Sequence, residues 1–183
     1  AQQLGAGVPL IREALIELEH QGFVQRTPYK GTTVTKLGPG DIKRIFRLRV
    51  ELEALAIEWA KEHVTEADLD SLRQTIRSME QAAVDLDLTS FYDADLAFHR
   101  KIWNLSDNPY LTDGLERVVV PLFPFFLMKT SRRRNSYVES ASMHAAIVEA
   151  LPQKSAAELR EMVKQSLTGW KDEMLDLLFS ETS

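Results

Sequence analysis

From Pro39 to about Phe179 the chain repeats apolar residues at spacings of three and four, with only Gly40, Gly114 and Gly169 to interrupt the run. That period gathers the apolar positions on one side of a helix, and such a stripe can be buried only against other helices. The pattern predicts six helices, at about 39–63, 66–85, 88–105, 108–130, 137–152 and 156–179. Connections this short between helices this long give an antiparallel bundle. Several starts carry their own mechanism. Thr65-x-x-Asp68, Ser136-x-x-Glu139 and Ser155-x-x-Glu158 fit a capping box or its Asp variant, in which side chains satisfy the free amides of a first helical turn.

Before Lys36 the texture changes. Leu10, Ile11, Ala14, Leu15 and Leu18 fall at helical spacing over residues 9–21, with Pro9 suited to the first turn and Gly22 to the end. Phe23–Arg26 and Thr32–Thr35 then read as two strands around the turn Thr27-Pro28-Tyr29-Lys30-Gly31, a hairpin. Leu37-Gly38-Pro39-Gly40 is the one Gly/Pro cluster, and the domain boundary is placed there. Residues 1–37 read as a partial winged helix-turn-helix and 38–183 as an all-helical domain, a mainly α fold. In the winged motif Ala1–Leu4 would end a first helix and Gly5-Ala6-Gly7 would form the turn. Arg12 would lie on the helix that enters the major groove, with Lys30 and Gly31 at the wing tip and Thr32 beside them. An arginine on a short helix has a plainer reading too, as a surface residue paired with a glutamate.

Charge and composition constrain the partners. Four cations (Arg12, Arg26, Lys30, Lys36) against three carboxylates (Glu13, Glu17, Glu19) leave residues 1–36 at +1, so the remainder carries −6 of the total −5. A chain of that sign does not coat nucleic acid nonspecifically, but a small DNA-reading module on a larger acidic domain stays open. There is no cysteine, which excludes disulfides, thiolate metal sites and cysteine nucleophiles and fits the cytoplasm. No secretory leader is visible. The most apolar stretch, Val118–Met128, falls short of the ~20 residues that a membrane span needs, so the sequence predicts no membrane partner. Pro121 and Pro124 should bend it. It reads as core, or else as an aromatic wall of a ligand pocket. Arg132-Arg133-Arg134 reads as a solvated loop that could pair with an anion.

Asp95 and His99 stand at i and i+4, side by side on one helical face, and His144 sits on another helix. A carboxylate and two imidazoles can chelate a divalent cation. By spacing alone, a hydrogen-bonded Asp–His pair fits as well.

These motifs together resemble the GntR family of bacterial transcription regulators, FadR-like subfamily. The N-terminal stretch is similar at LG, IREAL, LE, GFV and KGTTV. The rest resembles the FCD effector domain in Arg49-x-x-Leu52-Glu53, Asp95-x-x-Phe98-His99, Ser106-Asp107-Asn108-Pro109-Tyr110-Leu111 and His144. The resemblance implies a ligand-responsive regulator that binds double-stranded operator DNA as a homodimer through Arg12, Lys30, Gly31 and Thr32. The family's leading helix is missing from this sequence. Where the family carries Ser-Arg-Thr-Pro, this chain has Gly7-Val8-Pro9-Leu10, which implies a different operator or weaker binding; a sensor that has lost DNA binding is the limiting case.

In the helical domain the resemblance implies zinc or nickel on Asp95, His99 and His144. Ser166 stands where many members carry a third histidine, so the site would be weakened. The effector, a small carboxylate in many members, would meet Arg49, Asp95, His99, His144 and Ser166. The alternative for the same donors is a metal-dependent enzyme with a 2-His-1-carboxylate site, although no base, nucleophile or cofactor cradle accompanies them.

Overall fold

The computed structural model describes residues 5–20, 23–123, 125–126 and 134–179. The chain divides into two compact units, Ala1–Gly38 and Pro39–Ser183. In the first, helix α1 (Val8–His20) precedes strands β1 (Val24–Thr27) and β2 (Gly31–Val34). The strands pair antiparallel with Val24 opposite Val34 and Thr27 opposite Gly31. Each lies within one residue of its expected place. The Lys30 amide closes the turn onto the Thr27 carbonyl at 3.0 Å. Gly31 at φ +93° needs the freedom of a residue without Cβ. The Phe23 amide bonds the Leu18 carbonyl at 2.9 Å and ties the hairpin to the helix. Ala1–Leu4 and Gly22, expected as a helix tail and a helix stop, lie outside the described residues.

The second unit is helical throughout: α2 (Pro39–His63), α3 (Glu66–Asp85), α4 (Leu88–Leu105), α5 (Pro109–Val119), α6 (Arg134–Ala150) and α7 (Ala156–Phe179). The first three have the bounds the periodicity predicts, because their ends are written locally. Thr65 and Asp68 form the reciprocal capping box. Asp87 caps α4 through the Ser90 amide, and Asn108 caps α5 with Pro109 in the first turn. Ser155 and Glu158 exchange bonds of 2.9 and 3.3 Å at the entry to α7.

Two expectations are corrected. The helix drawn over 108–130 stops at Val119, and helical backbone resumes at residues 122–123 and 125–126. Pro121 has no amide to donate and crowds the carbonyl four residues back, so the ladder breaks there; the Phe123 amide turns instead to the Val120 carbonyl at 3.1 Å. Pro124, Leu127, Met128, Arg132 and Arg133 lie outside the described residues. The helix expected from 137 begins at Arg134, so Ser136 lies within it rather than at its cap.

Helix α2 runs through the unit and packs on α4, α5 and α7, while α3 packs on α4 and α6. The core is aromatic: Trp103, Phe46, Phe91, Phe98 and Phe126 are among its largest fully buried side chains. Every charged or imidazole side chain buried among the described residues (Arg49, Glu53, Asp95, His99 and His144) lines one cavity within this unit. No helix among the described residues is long and apolar enough to cross a membrane.

Candidate metal centre

The cluster is assembled from three helices. Helix α2 supplies Arg49 and Glu53, α4 supplies Asp95 and His99, and α6 supplies His144. Each pair on one helix is separated by four residues, which aims both side chains at the same side. Three atoms converge at the centre. Asp95 Oδ1 lies 3.0 Å from His144 Nε2 and 3.5 Å from His99 Nε2, and the two nitrogens are 3.3 Å apart.

The outer edges of both rings fix where their protons sit. His99 Nδ1 is 2.8 Å from Glu53 Oε2, and His144 Nδ1 is 2.7 Å from the Ser140 carbonyl. Both of those oxygens can only accept, so each Nδ1 carries the ring proton. In the neutral rings each Nε2 then presents a lone pair inward. Two nitrogen lone pairs and a carboxylate oxygen thus face one another, with Arg49 Nη2 approaching His99 Nε2 from the side at 3.3 Å.

The charges respond to this crowding. Burial works against ionising Asp95, but the adjoining His144 ring and the charges of His99 and Arg49 outweigh it and hold the carboxyl below its usual range. Burial likewise opposes a protonated His144, and contact with Asp95 overcomes it and raises the imidazole. Glu53 is held well below the carboxylate range: desolvation opposes this, and the charges of His99 and Arg49 prevail.

A divalent cation fits this donor set. Asp95 Oδ1 is a fully buried oxygen with no aligned hydrogen-bond partner, despite its short approach to His144. An orphaned buried carboxylate oxygen is costly unless something positive completes it. An ion at about 2.0–2.2 Å from each of three nitrogen and oxygen donors would hold them about 3–3.5 Å apart, the spacing seen here. Imidazole and carboxylate together suit zinc, nickel and similar ions. The two second-row partners, Glu53 and the Ser140 carbonyl, orient the rings as such sites require.

Of the residues singled out from sequence, Arg49, Asp95, His99, His144 and Ser166 all line this cavity. Ser166 directs its hydroxyl to the Met143 sulfur at 3.6 Å. Leu122, Phe123 and Phe126 of the proline-interrupted stretch also form its wall, whereas Val119 and Val120 are buried elsewhere. In the other unit, Arg12, Gly31 and Thr32 share a concave surface with Arg26; Lys30 is exposed in the hairpin turn beside it. The places of Glu53, Met143 and Trp170 in this cavity were not read from the sequence. The i, i+4 spacing of Arg49 and Glu53 was the available signal for the first. Nothing local marked the other two.

Residues 44–169 match the family model described as the FCD domain. The chain is 30% identical over 124 residues to the HTH-type transcriptional regulator McbR of Escherichia coli (strain K12), covering 68% of this chain and 56% of that protein. It is 27% identical over 171 residues to the HTH-type transcriptional repressor NanR of Citrobacter rodentium (strain ICC168), covering 81% and 64%. It therefore spans little more than half the length of the curated relatives it matches. The crystal structure of a putative GntR regulator from Rhodococcus sp. RHA1 superposes with a TM-score of 0.78 at 17% identity, covering 95% of this chain and 83% of that one. The relatives named with a function are transcription regulators, which sets aside the metal-dependent enzyme.

Proposed function

Because the chain belongs to the FCD-domain family, within the GntR-type transcription regulators, we propose that it regulates transcription in response to a small, carboxylate-bearing metabolite. Residues 1–38 would contact operator DNA through Arg12, Lys30, Gly31 and Thr32, as one half of a homodimer whose symmetry matches a pseudopalindromic site. The helical unit would sense the metabolite in the cytoplasm. The observation that carries this reading is the convergence of Asp95 Oδ1, His99 Nε2 and His144 Nε2 inside a buried cavity.

Asp95, His99 and His144 would hold zinc or nickel there. When bound, the ion supplies a positive charge and open coordination positions. Glu53 and the Ser140 carbonyl keep the two rings turned inward, and Arg49 adds a cation at the cavity wall. Ser166 offers only a neutral hydroxyl on the remaining side, so the shell closes with water or with the ligand itself. Filling the cavity can then bias the arrangement of the DNA-binding units, which is a coupling of two equilibria.

The test is elemental analysis of the full-length protein purified without chelator, with thermal-shift measurement of small carboxylates in the presence and absence of zinc. Near-stoichiometric metal, with carboxylates raising Tm only in the metal-loaded protein, supports the reading. Absence of metal, with no carboxylate effect in either state, defeats it. For the DNA-binding half, Arg12→Ala should cost about 1–3 kcal/mol of operator binding, the worth of one arginine contact to a base; unchanged affinity removes Arg12 from the interface.

A further inference from the structure

Arg49 engages the central cluster at an atom that is already claimed. Its Nη2 lies 3.3 Å from His99 Nε2, the same lone pair that faces Asp95 and His144. A single sp2 lone pair points in one direction. It can accept a guanidinium N–H or ligate a cation, but not both. Arg49 stays protonated throughout the accessible pH range, so in the metal-free arrangement it is the resident positive charge on His99.

We propose that a divalent cation displaces Arg49 from His99 Nε2, and that the freed guanidinium edge then receives a small monocarboxylate with an apolar body, so that metal and anion bind cooperatively. This rests on the reading of the helical unit as a metal-assisted sensor.

The attachment of Arg49 suits an exchange of this kind. Its Nε bonds Glu53 Oε1 at 2.6 Å, and that bond need not break when Nη2 lets go. Glu53 also holds His99 Nδ1 through its other oxygen, so the ring keeps its tautomer and its aim in either state. The guanidinium lies 5.3 Å from the Phe46 ring and 5.8 Å from that of Trp170, two faces that support a cation without fixing its hydrogen bonds.

The chemistry of the ligand follows from the remaining wall. Beyond the ionic cluster it is largely apolar, with Ile57, Ile102, Leu122, Phe126, Val163 and Leu167 among its residues. Ser166 has turned its hydroxyl to the Met143 sulfur. A polyhydroxylated body would bury hydroxyls against hydrocarbon, at a cost an alkyl chain does not incur. The cavity volume is about 60 Å³. One water needs roughly 10–15 Å³ on this measure, so with the ion taking one such space about three to five non-hydrogen atoms fit beside it. Propionate meets that description. Without the ion, an entering carboxylate meets Asp95 and Glu53 with Arg49 already engaged. With it, two positive charges have been added and Arg49 is free.

The experiment is isothermal titration of the full-length protein with propionate, with and without saturating Zn²⁺, and with Zn²⁺, with and without propionate. Coupling on the order of tenfold is expected, and linkage requires it to be the same in both directions. Arg49→Lys keeps the charge but lacks the fork that spans Glu53 and His99. In this variant Zn²⁺ should bind more tightly than in the wild type, and the coupling to propionate should fall within about twofold of none. Should the substitution unfold the chain, arginine side-chain NMR on ¹⁵N-labelled wild type reads the same event: Zn²⁺ should shift the Arg49 Nη signals and speed their exchange with water.

Full coupling in Arg49→Lys, or Arg49 signals unmoved by Zn²⁺, would each overturn the exchange while leaving the metal-sensor reading intact, whereas propionate binding that ignores Zn²⁺ would count against that reading as well. Failure of Zn²⁺ to bind the wild type would overturn both.

Discussion

On the outer side of the α2–α7 pair, Glu51 meets Lys164 at 2.8 Å and Arg160 at 3.5 Å, and Glu58 meets Arg160 at 2.5 Å. On the inner side, Glu53 meets Arg49 at 2.6 Å and His99 at 2.8 Å. The residue types and distances are nearly alike. The surroundings are not: the Glu51 side chain is 52% exposed and that of Glu53 is 6%. Water competes for every outer charge and salt screens it, whereas the inner charges have only one another. One helix thus carries a dispensable set of ion pairs and an indispensable one, separated by solvent access and not by chemistry.

The sharpest way to break that comparison is Glu53→Ala. It strands a buried guanidinium and frees the His99 ring, and should cost about 3–5 kcal/mol in urea unfolding; a loss under about 1 kcal/mol would erase the distinction between the two faces. Next comes His99→Ala, which removes a metal donor while leaving the Arg49–Glu53 pair in place. Zn²⁺ affinity should fall on the order of 100-fold, at or beyond what changes around a metal ligand cost, and a retained zinc-induced Tm rise would place the ion elsewhere. Ser166→His tests the inner face in the opposite sense: affinity should rise about tenfold, at the low end for such changes, and no gain would mean that the side chain at 166 does not reach the ion. The smallest effect belongs outside. Glu58→Ala should cost about 0.2–1 kcal/mol and nothing measurable in 1 M salt, so a larger, salt-resistant loss would make the outer face structural after all.

The sequence declared much of this. The bounds of α2, α3 and α4 were legible because Pro39, Thr65 and Asp68 write helix ends into local chemistry. Arg49, Asp95, His99, His144 and Ser166 were placed in one site by likeness to a family, and spacing alone paired only Asp95 with His99. The closure of Glu53 onto His99 spans 46 residues, and no local pattern encodes a contact of that range. Trp170 reads as one more apolar position on α7 until Arg49 is seen beside it. The break after Val119 was half legible. The prolines announced a bend, but whether the chain bends within a helix or leaves it depends on what packs around Pro121.

Glu53 serves two neighbours with one carboxylate, and this restricts how the position can change over successive generations. Gln would turn an amide N–H toward a group that itself donates. Asp is one methylene too short to span both partners, and an apolar residue strands two polar ones. Each of these replacements leaves a buried partner of Glu53 unsatisfied, and restoring it calls for a matching change at 49 or 99. The three positions form one heritable unit, to be exchanged together or kept.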